Sequence, residues 1–318
     1  MNILALDIGG TAIKYGVFDS SGSINTELYE EPTPKSTKSN YIMETVNQII
    51  KRMQKNSPID GIAVSTAGVV DSQLGSVIFS GPTIPGYTNT PIKQIIEDAF
   101  GIPCEVENDV NCAALGEWWR GVGKGSNSLV CVTIGTGIGG AVILNGKLWK
   151  GASHSAGEIG YLPISNETML QEKASATALV SDYSVLSGIS TNQLNGKIIF
   201  EKAKSGDSLA AKAIDNMLTA LNQGLLAATY LISPDTIVIG GGVAAQKDYL
   251  SNKIEAKLTE HILSDYMLPK NIKCAELGNT AGMIGAIYHF NKKTLLISNS
   301  LISDEIKSVI YHLKKRID

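Results

Sequence analysis

Residues 2–14 read Asn-Ile-Leu-Ala-Leu-Asp-Ile-Gly-Gly-Thr-Ala-Ile-Lys, one apolar segment and the start of a second with a glycine pair between them. Residues 2–8 form an apolar run that stops at Gly9-Gly10, which predicts a buried strand ended by a turn. A second strand pattern follows at once over 12–18, and Asp19-Ser20-Ser21-Gly22 joins it to a third over 23–29. Because a strand follows the glycines, this is not a Rossmann turn, and the P-loop pattern G-x-x-x-x-G-K-[ST] is absent.

The same pattern returns near residue 128. Residues 128–135 (SLVCVTIG) predict a buried strand, Gly135-Thr136-Gly137 and Gly139-Gly140 a glycine turn, and residues 141–144 a further strand that runs into the Asn145-Gly146 turn. After the first hairpin the chain alternates: a helix over about 39–56, strand 59–66, a helix to about Phe100 with Thr90 as N-cap and Pro91 as first residue, strand 103–107, then another helix. After the second come a helix over about 207–232 with Leu209, Ala213, Met217, Leu221, Leu225 and Ile232 on one face, and strand 236–239. The Gly240-Gly241-Gly242 turn, helix 247–264, strand 271–277 and helix 280–290 follow. The expected class is α/β with mixed sheets, in two similar halves with a cleft between them.

Composition bounds the function. At 318 residues the chain is long enough for about two domains. Its 32 glycines are about a tenth of the chain against a typical ~7%, without a collagen period, so backbone freedom is needed at particular places. A net charge of −3 gives no basic field for nucleic acid or an anionic membrane. The N-terminus has no basic region before its apolar run, and the longest later apolar stretch, 225–232, is short of the ~18 residues of a membrane span, so a soluble, cytoplasmic protein is expected. Cys104, Cys112, Cys131 and Cys274 have no metal-type spacing and lie in apolar segments, as buried thiols do. In the tail, Ile302, Ile306, Val309, Ile310 and Leu313 form one stripe of an amphipathic helix, to be packed on its own domain or on another subunit.

Four motifs carry chemistry. Asp7 to Lys14 places two glycines and the hydroxyl of Thr11 in one turn, where backbone N–H groups can approach phosphate oxygens and Asp7 can hold a hydrated Mg²⁺, unless the glycines are only a hairpin requirement. Ile134 to Gly140 is a second loop of that kind, and two such loops facing one another would grip a polyphosphate. Gly240-Gly241-Gly242 offers bare backbone to a flat ring, or is simply a strand-to-helix turn. Asp109, in Glu107-Asn108-Asp109-Val110-Asn111, is either a helix N-cap or a carboxylate placed to take a proton from an attacking hydroxyl.

Asp7-Ile8-Gly9-Gly10-Thr11-x-x-Lys14, Glu107-Asn108-Asp109-x-Asn111-Cys112-Ala113, Thr133 to Gly140 and Ala156-Gly157-Glu158-Ile159-Gly160 resemble, in order and spacing, the motifs of the ROK family of bacterial sugar kinases and related repressors. The resemblance runs from about residue 2 to 290 and implies two actin-like (ribonuclease H-like) ATPase domains with mixed sheets and an interdomain cleft. The domains it implies are residues 1–110, a larger one over 111–290 whose last helix returns to the first, and an extension over 291–318. It implies transfer of the γ-phosphate of MgATP to a sugar 6-hydroxyl, with Asp109 as catalytic base. Gly68, Asn108, Asp109, Glu158, Tyr161 and Gln171 would face the sugar, and Asp7, Gly9, Gly10, Thr11, Lys14, Gly135, Thr136, Gly137 and Gly241 the nucleotide. It also implies a homodimer.

The sequence departs from the family twice. Members commonly hold a structural zinc with a His after Gly-Glu-x-Gly and a nearby cysteine cluster. Here that His is Tyr161 and no cysteine lies between Cys131 and Cys274, so no zinc is expected. The position of a Glu that serves the C1–C2 edge of the sugar is Gln171, beside Glu172, which leaves glucose, N-acetylmannosamine and β-glucosides as candidate substrates. His154 reads as a solvated loop residue. The competing reading is a sugar-responsive repressor or a non-catalytic sensor of the same family; a repressor would carry a DNA-binding module ahead of the strand that starts here at Asn2.

Overall fold

The computed structural model describes residues 1–34, 41–81 and 84–295. They fall into two units, Met1–Asn108 with the chain from Ala286, and Asp109–Gly285. In the first, β1 (Asn2–Ile8), β2 (Ala12–Asp19), β3 (Tyr29–Pro32), β4 (Gly61–Thr66) and β7 (Cys104–Asn108) make one sheet in the order β3-β2-β1-β4-β7. β1 pairs antiparallel with β2 and parallel with β4. A separate hairpin is made of β5 (Val69–Asp71) and β6 (Ser76–Phe79).

The strands alternate, so Leu4, Leu6, Ile8, Ile62, Val64 and Val106 share one face, and α1 (Ile42–Gln54) and α2 (Ile92–Phe100) cover it. Ile42, Val46, Ile49, Ile50 and Met53 supply the buried stripe of α1 at helical spacing. Each fully buried Ile of this stripe contributes about 1.5–3 kcal/mol relative to exposure.

The second unit repeats this plan. β8 (Leu129–Ile134), β9 (Ile138–Leu144), β10 (Lys147–Trp149), β13 (Thr236–Gly240) and β14 (Asn271–Cys274) are ordered β10-β9-β8-β13-β14, with β8 antiparallel to β9 and parallel to β13. Its helices are α3 (Asp109–Arg120), α4 (Gln171–Ala174), α5 (Ala176–Ser187), α6 (Gly196–Lys204), α7 (Ser208–Ile232) and α8 (Lys247–His261), and β11 (Pro163–Ser165) pairs with β12 (Thr168–Met169). Asp207 caps α7 by accepting the N–H of Leu209 and Ala210 at 2.9 and 3.0 Å. A last helix, α9, covers residues 281–295 and begins in the second unit and ends in the first.

Several boundaries differ from the sequence expectation for identifiable reasons. No strand forms over 23–29, and β3 starts at Tyr29. There the Asp19 carboxylate accepts the N–H of Ser21 and Ser23, and Thr26 Oγ1 accepts the Val17 N–H at 3.0 Å, so side chains take donors that a ladder would use. Thr90 does not cap α2, because its hydroxyl donates to the Tyr87 carbonyl at 2.7 Å, and Pro91 holds the cap position. Leu209, on the first turn of α7, is exposed rather than on the buried face. The Ala275 N–H still bonds to the Ile239 carbonyl at 2.8 Å, and the ladder of β14 ends there because the amides of Glu276 and Leu277 bond to the Glu117 carboxylate. α8 ends at His261, and the Leu263 N–H then bonds to Tyr230 Oη.

All four cysteines are buried and none is in a disulfide. Among the described residues no helix is long and apolar enough to cross a membrane. The tail helix expected from Ile302 onward lies outside the described residues.

α3 and α9 approach backbone to backbone. A Cβ on Gly285 would lie 1.7 Å from the Cys112 carbonyl oxygen, and one on Gly116 2.4 Å from that of Ala281. Gly285→Ala is therefore expected to cost at least ~1–3 kcal/mol in urea denaturation. Gly196→Ala, at the first residue of α6 with open space around its Cβ, should be neutral or stabilise by ~0.4–1 kcal/mol.

Candidate active site

In the first unit the parallel register aligns Asp7 with Ser65 and Ser65 with Glu107, while Lys14 pairs with Asp7. These four side chains thus share one face at the carboxyl ends of β1, β4 and β7, the edge at which open α/β sheets bind ligands. The Ser65 hydroxyl donates to Asp7 Oδ1 at 2.6 Å. Burial raises the Asp7 pKa, against the lowering effects of Ser65 and Lys14.

The next register row, Ile8–Thr66–Asn108, faces the other side. There Thr66 Oγ1 and Tyr87 Oη bond at 2.7 Å, and Asn108 Nδ2 donates to the Gly68 carbonyl at 2.8 Å. Gly68 has φ 101°, and a Cβ on it would sit 2.8 Å from the Phe79 carbonyl oxygen, so only glycine fits. Two of the six residues expected at the sugar, Gly68 and Asn108, are therefore tied together. In the β1–β2 turn the Gly9 N–H is committed to the Ala12 carbonyl at 3.0 Å, Thr33 holds the Gly9 and Thr11 carbonyls, and Thr11 itself is exposed.

The second unit gathers its motifs around the β8–β9 loop. The Gly135 N–H donates to the Gly137 carbonyl, the Gly135 carbonyl accepts from Ala176 N–H at 2.9 Å, and the Thr177 hydroxyl donates to the Thr136 carbonyl at 2.8 Å. The N-terminus of α5, capped by Ser175, thus docks on the loop. Gly140 and Gly157 meet backbone to backbone, as a Cβ on Gly140 would lie 2.3 Å from the Gly157 carbonyl oxygen. Gly160 approaches the Ile138 carbonyl in the same way, which sets Glu158 and Tyr161 beside β9. Gly241, with φ 79°, lies against the Ile134 backbone on the loop's other flank.

Asp109 is the first residue of α3, half-buried, with Oδ1 accepting the Val110 N–H at 2.9 Å. The Val110 side chain packs over Gly139, at 2.6 Å from where a Cβ would be, so the first turn of α3 rests on the start of β9. Gln171 Oε1 lies 2.9 Å from the Cβ position of Gly137 and 3.5 Å from that of Gly160, touching both loops. Glu172 instead bonds locally to the Met169 N–H. Desolvation raises the Glu158 pKa. Tyr161 is exposed, and His154, half-buried, has a left-handed backbone at φ 60°.

The structure thus brings Asp109, Gly135 to Gly140, Glu158, Tyr161, Gln171 and Gly241 around one loop. Sequence reasoning missed the anchors of that loop, Ala176 and Thr177, although Ser175 before an alanine-rich run is a legible helix start. Among the described residues no three His, Cys, Asp or Glu side chains come together as a metal ligand set.

Residues 3–293 match the model of the ROK family. The chain is 42% identical over 287 residues to an uncharacterized protein of Clostridium perfringens, covering 90% of this chain and 97% of that one. It is 33% identical to a beta-glucoside kinase of Listeria innocua, over 91% of this chain and 97% of the relative. Its fold is similar to a ROK family glucokinase from Streptomyces griseus solved with glucose and AMPPNP, with TM-score 0.78 and 27% identity over 90% of this chain and 98% of that one.

The raised Asp7 pKa has a measurable consequence. Between its ordinary 3.8 and the raised value, folded Asp7 keeps a proton that the unfolded chain has released, so this residue makes stability fall as pH rises through that window. Asp7→Asn should remove this fall. The stability difference between the variant and the native protein, measured by urea unfolding from pH 4 to 7, should grow in the variant's favour with pH.

Proposed function

The chain belongs to the ROK family, and on that premise we propose that it is an ATP-dependent sugar kinase which phosphorylates the 6-hydroxyl of a hexose or hexose derivative. The observation that carries the reading is the packing of Val110 on Gly139, which sets Asp109 beside the glycine loop of β8–β9. Asp109 takes the proton of the 6-hydroxyl as that oxygen bonds to the γ-phosphorus, and the bond from phosphorus to the β–γ bridging oxygen breaks to release ADP.

Gly135, Thr136 and Gly137, with Gly10 and Thr11, are the proposed phosphate contacts, and Gly241 lies on the adenine side. Gly9 shapes its turn, since its N–H is committed to Ala12. Asn108, Gly68, Glu158, Tyr161 and Gln171 are the proposed sugar side. Sugar hydroxyls would donate to the Glu158 carboxylate, whose pKa desolvation raises.

Mg²⁺ neutralises phosphate charge in such transfers, and it is usually held by one or two carboxylates plus the substrate phosphates. Asp7, a half-buried carboxylate in line with Lys14 at a strand end, suits that role. No zinc is proposed, since Tyr161 stands where an imidazole would be needed. A cytoplasmic homodimer completes the reading, and light scattering on the purified protein tests the dimer.

The similarity to a beta-glucoside kinase puts cellobiose and gentiobiose first in a coupled ADP-release assay, followed by glucose and N-acetylmannosamine. Turnover on at least one is expected, and none on any would favour a sugar sensor. Asp109→Asn should lower turnover by ~10²–10⁴-fold while ATP-analogue binding stays within about twofold. Near-native turnover in that variant would remove Asp109 from the mechanism.

A further inference from the structure

We propose that Glu117 is a positioning residue for the phosphoryl transfer, fixing the orientation of the helix that begins with Asp109. The inference rests on the reading of Asp109 as the base. Glu117 lies in α3 two turns after Asp109 and is 1% exposed. Its carboxylate bonds only to backbone amides in the described contacts: Oε1 accepts from Glu276 at 2.9 Å and Leu277 at 2.8 Å, and Oε2 from Val122 at 3.1 Å.

These bonds close a circuit around β8. The 276–277 amides lead into the turn Gly278–Thr280, which packs beside the turn Gly242–Gln246. That second turn follows Gly241, which lies on the backbone of Ile134 at the end of β8. From there the loop runs to Gly139, on which Val110 of α3 rests. Glu117 therefore joins the flank of the loop opposite Asp109 back to the helix that carries Asp109. The backbone approaches at Gly116 and Gly285 let α3 lie close enough to α9 for this bond to form.

The site requires a carboxylate. An ionised Glu is acceptor-only and can take three N–H groups at once, whereas a Gln turns its amide donors onto Val122 or onto the 276–277 amides. A buried carboxylate with its donors in place is a stiff link, and a small tilt of α3 moves Asp109 relative to the sugar hydroxyl. Misplacement of about 1 Å can cost ~10²-fold in rate.

The test compares Glu117→Gln and Glu117→Asp with Asp235→Asn. Asp235 also bonds to backbone amides, those of Asn127 and Ser128, and to Lys270, but at the opposite end of β13 from Gly241. All three are expected to lower the Tm. Only the Glu117 variants should lower kcat, by about tenfold or more, with the KM for sugar within about twofold of native. Asp235→Asn should keep kcat within about twofold.

A folded Glu117→Gln with native kcat overturns the proposal, as does an equal loss of kcat in Asp235→Asn. If Glu117→Gln does not fold, Glu117→Asp keeps the charge but withdraws it by one methylene, and native kcat in that variant is equally decisive. A native protein that phosphorylates no sugar would instead overturn the kinase reading itself.

Discussion

The second unit is organised by peptide groups that come too close to admit a side chain. At Gly140 and Gly157, at Gly160 and Ile138, and at Gly241 and Ile134, a Cβ would lie 2.2–2.6 Å from a backbone oxygen. A carbonyl cannot swing aside as a flexible side chain can, so these contacts exclude every residue but glycine. They bind three segments from distant parts of the chain, around residues 134–140, 157–160 and 240–242, into one piece. Asp109 and Gln171 rest on that piece through Val110–Gly139 and through Gly137. The geometry of the second unit's share of the candidate site is thereby set before any ligand arrives, as catalysis by positioning requires.

Much of this was legible in the sequence because apolar runs and glycine turns are local signals. The hairpin-first plan of each half, its repetition, and the mixed sheets follow from residues 2–18 and 128–144 alone, and both sheets have the same strand order. Failures arose where a side chain competes with the backbone for hydrogen bonds, as Asp19 and Thr26 do in place of a 23–29 strand. The glycines themselves were only half legible. Sequence cannot separate a glycine that meets a ligand from one that meets another backbone, and Gly140, Gly157, Gly160 and Gly241 are of the second kind whatever else they do. Glu117 left no signal at all: a glutamate in a helix looks like a solvated face until its partners, 159 and 160 residues later, are seen.

The carboxylates divide by what surrounds them. Asp235, at the start of β13, is held down to about 2, first by the Lys270 hydrogen bond and then by the Ser128 amide. Its charge is fully answered by the protein and has nothing left for a ligand. Desolvation raises Asp7 and Glu158, as it also raises Glu117 against its three backbone donors. At Asp7 and Glu158 the charged form gains when a cation or a hydroxyl arrives, and perturbed groups of this kind concentrate at functional sites.

The route of α9 bears on how the chain is made. Phe290 lies directly against Gly61, where a Cβ would be 2.3 Å from its ring, so the sheet begun by the first residues is covered on one face by nearly the last described ones. During synthesis the ribosome delivers β1 to β7 early, yet that face of the sheet stays bare until the whole second unit has emerged. The unit translated first is then the one completed last, and the newborn chain must shield its apolar strands for most of its translation.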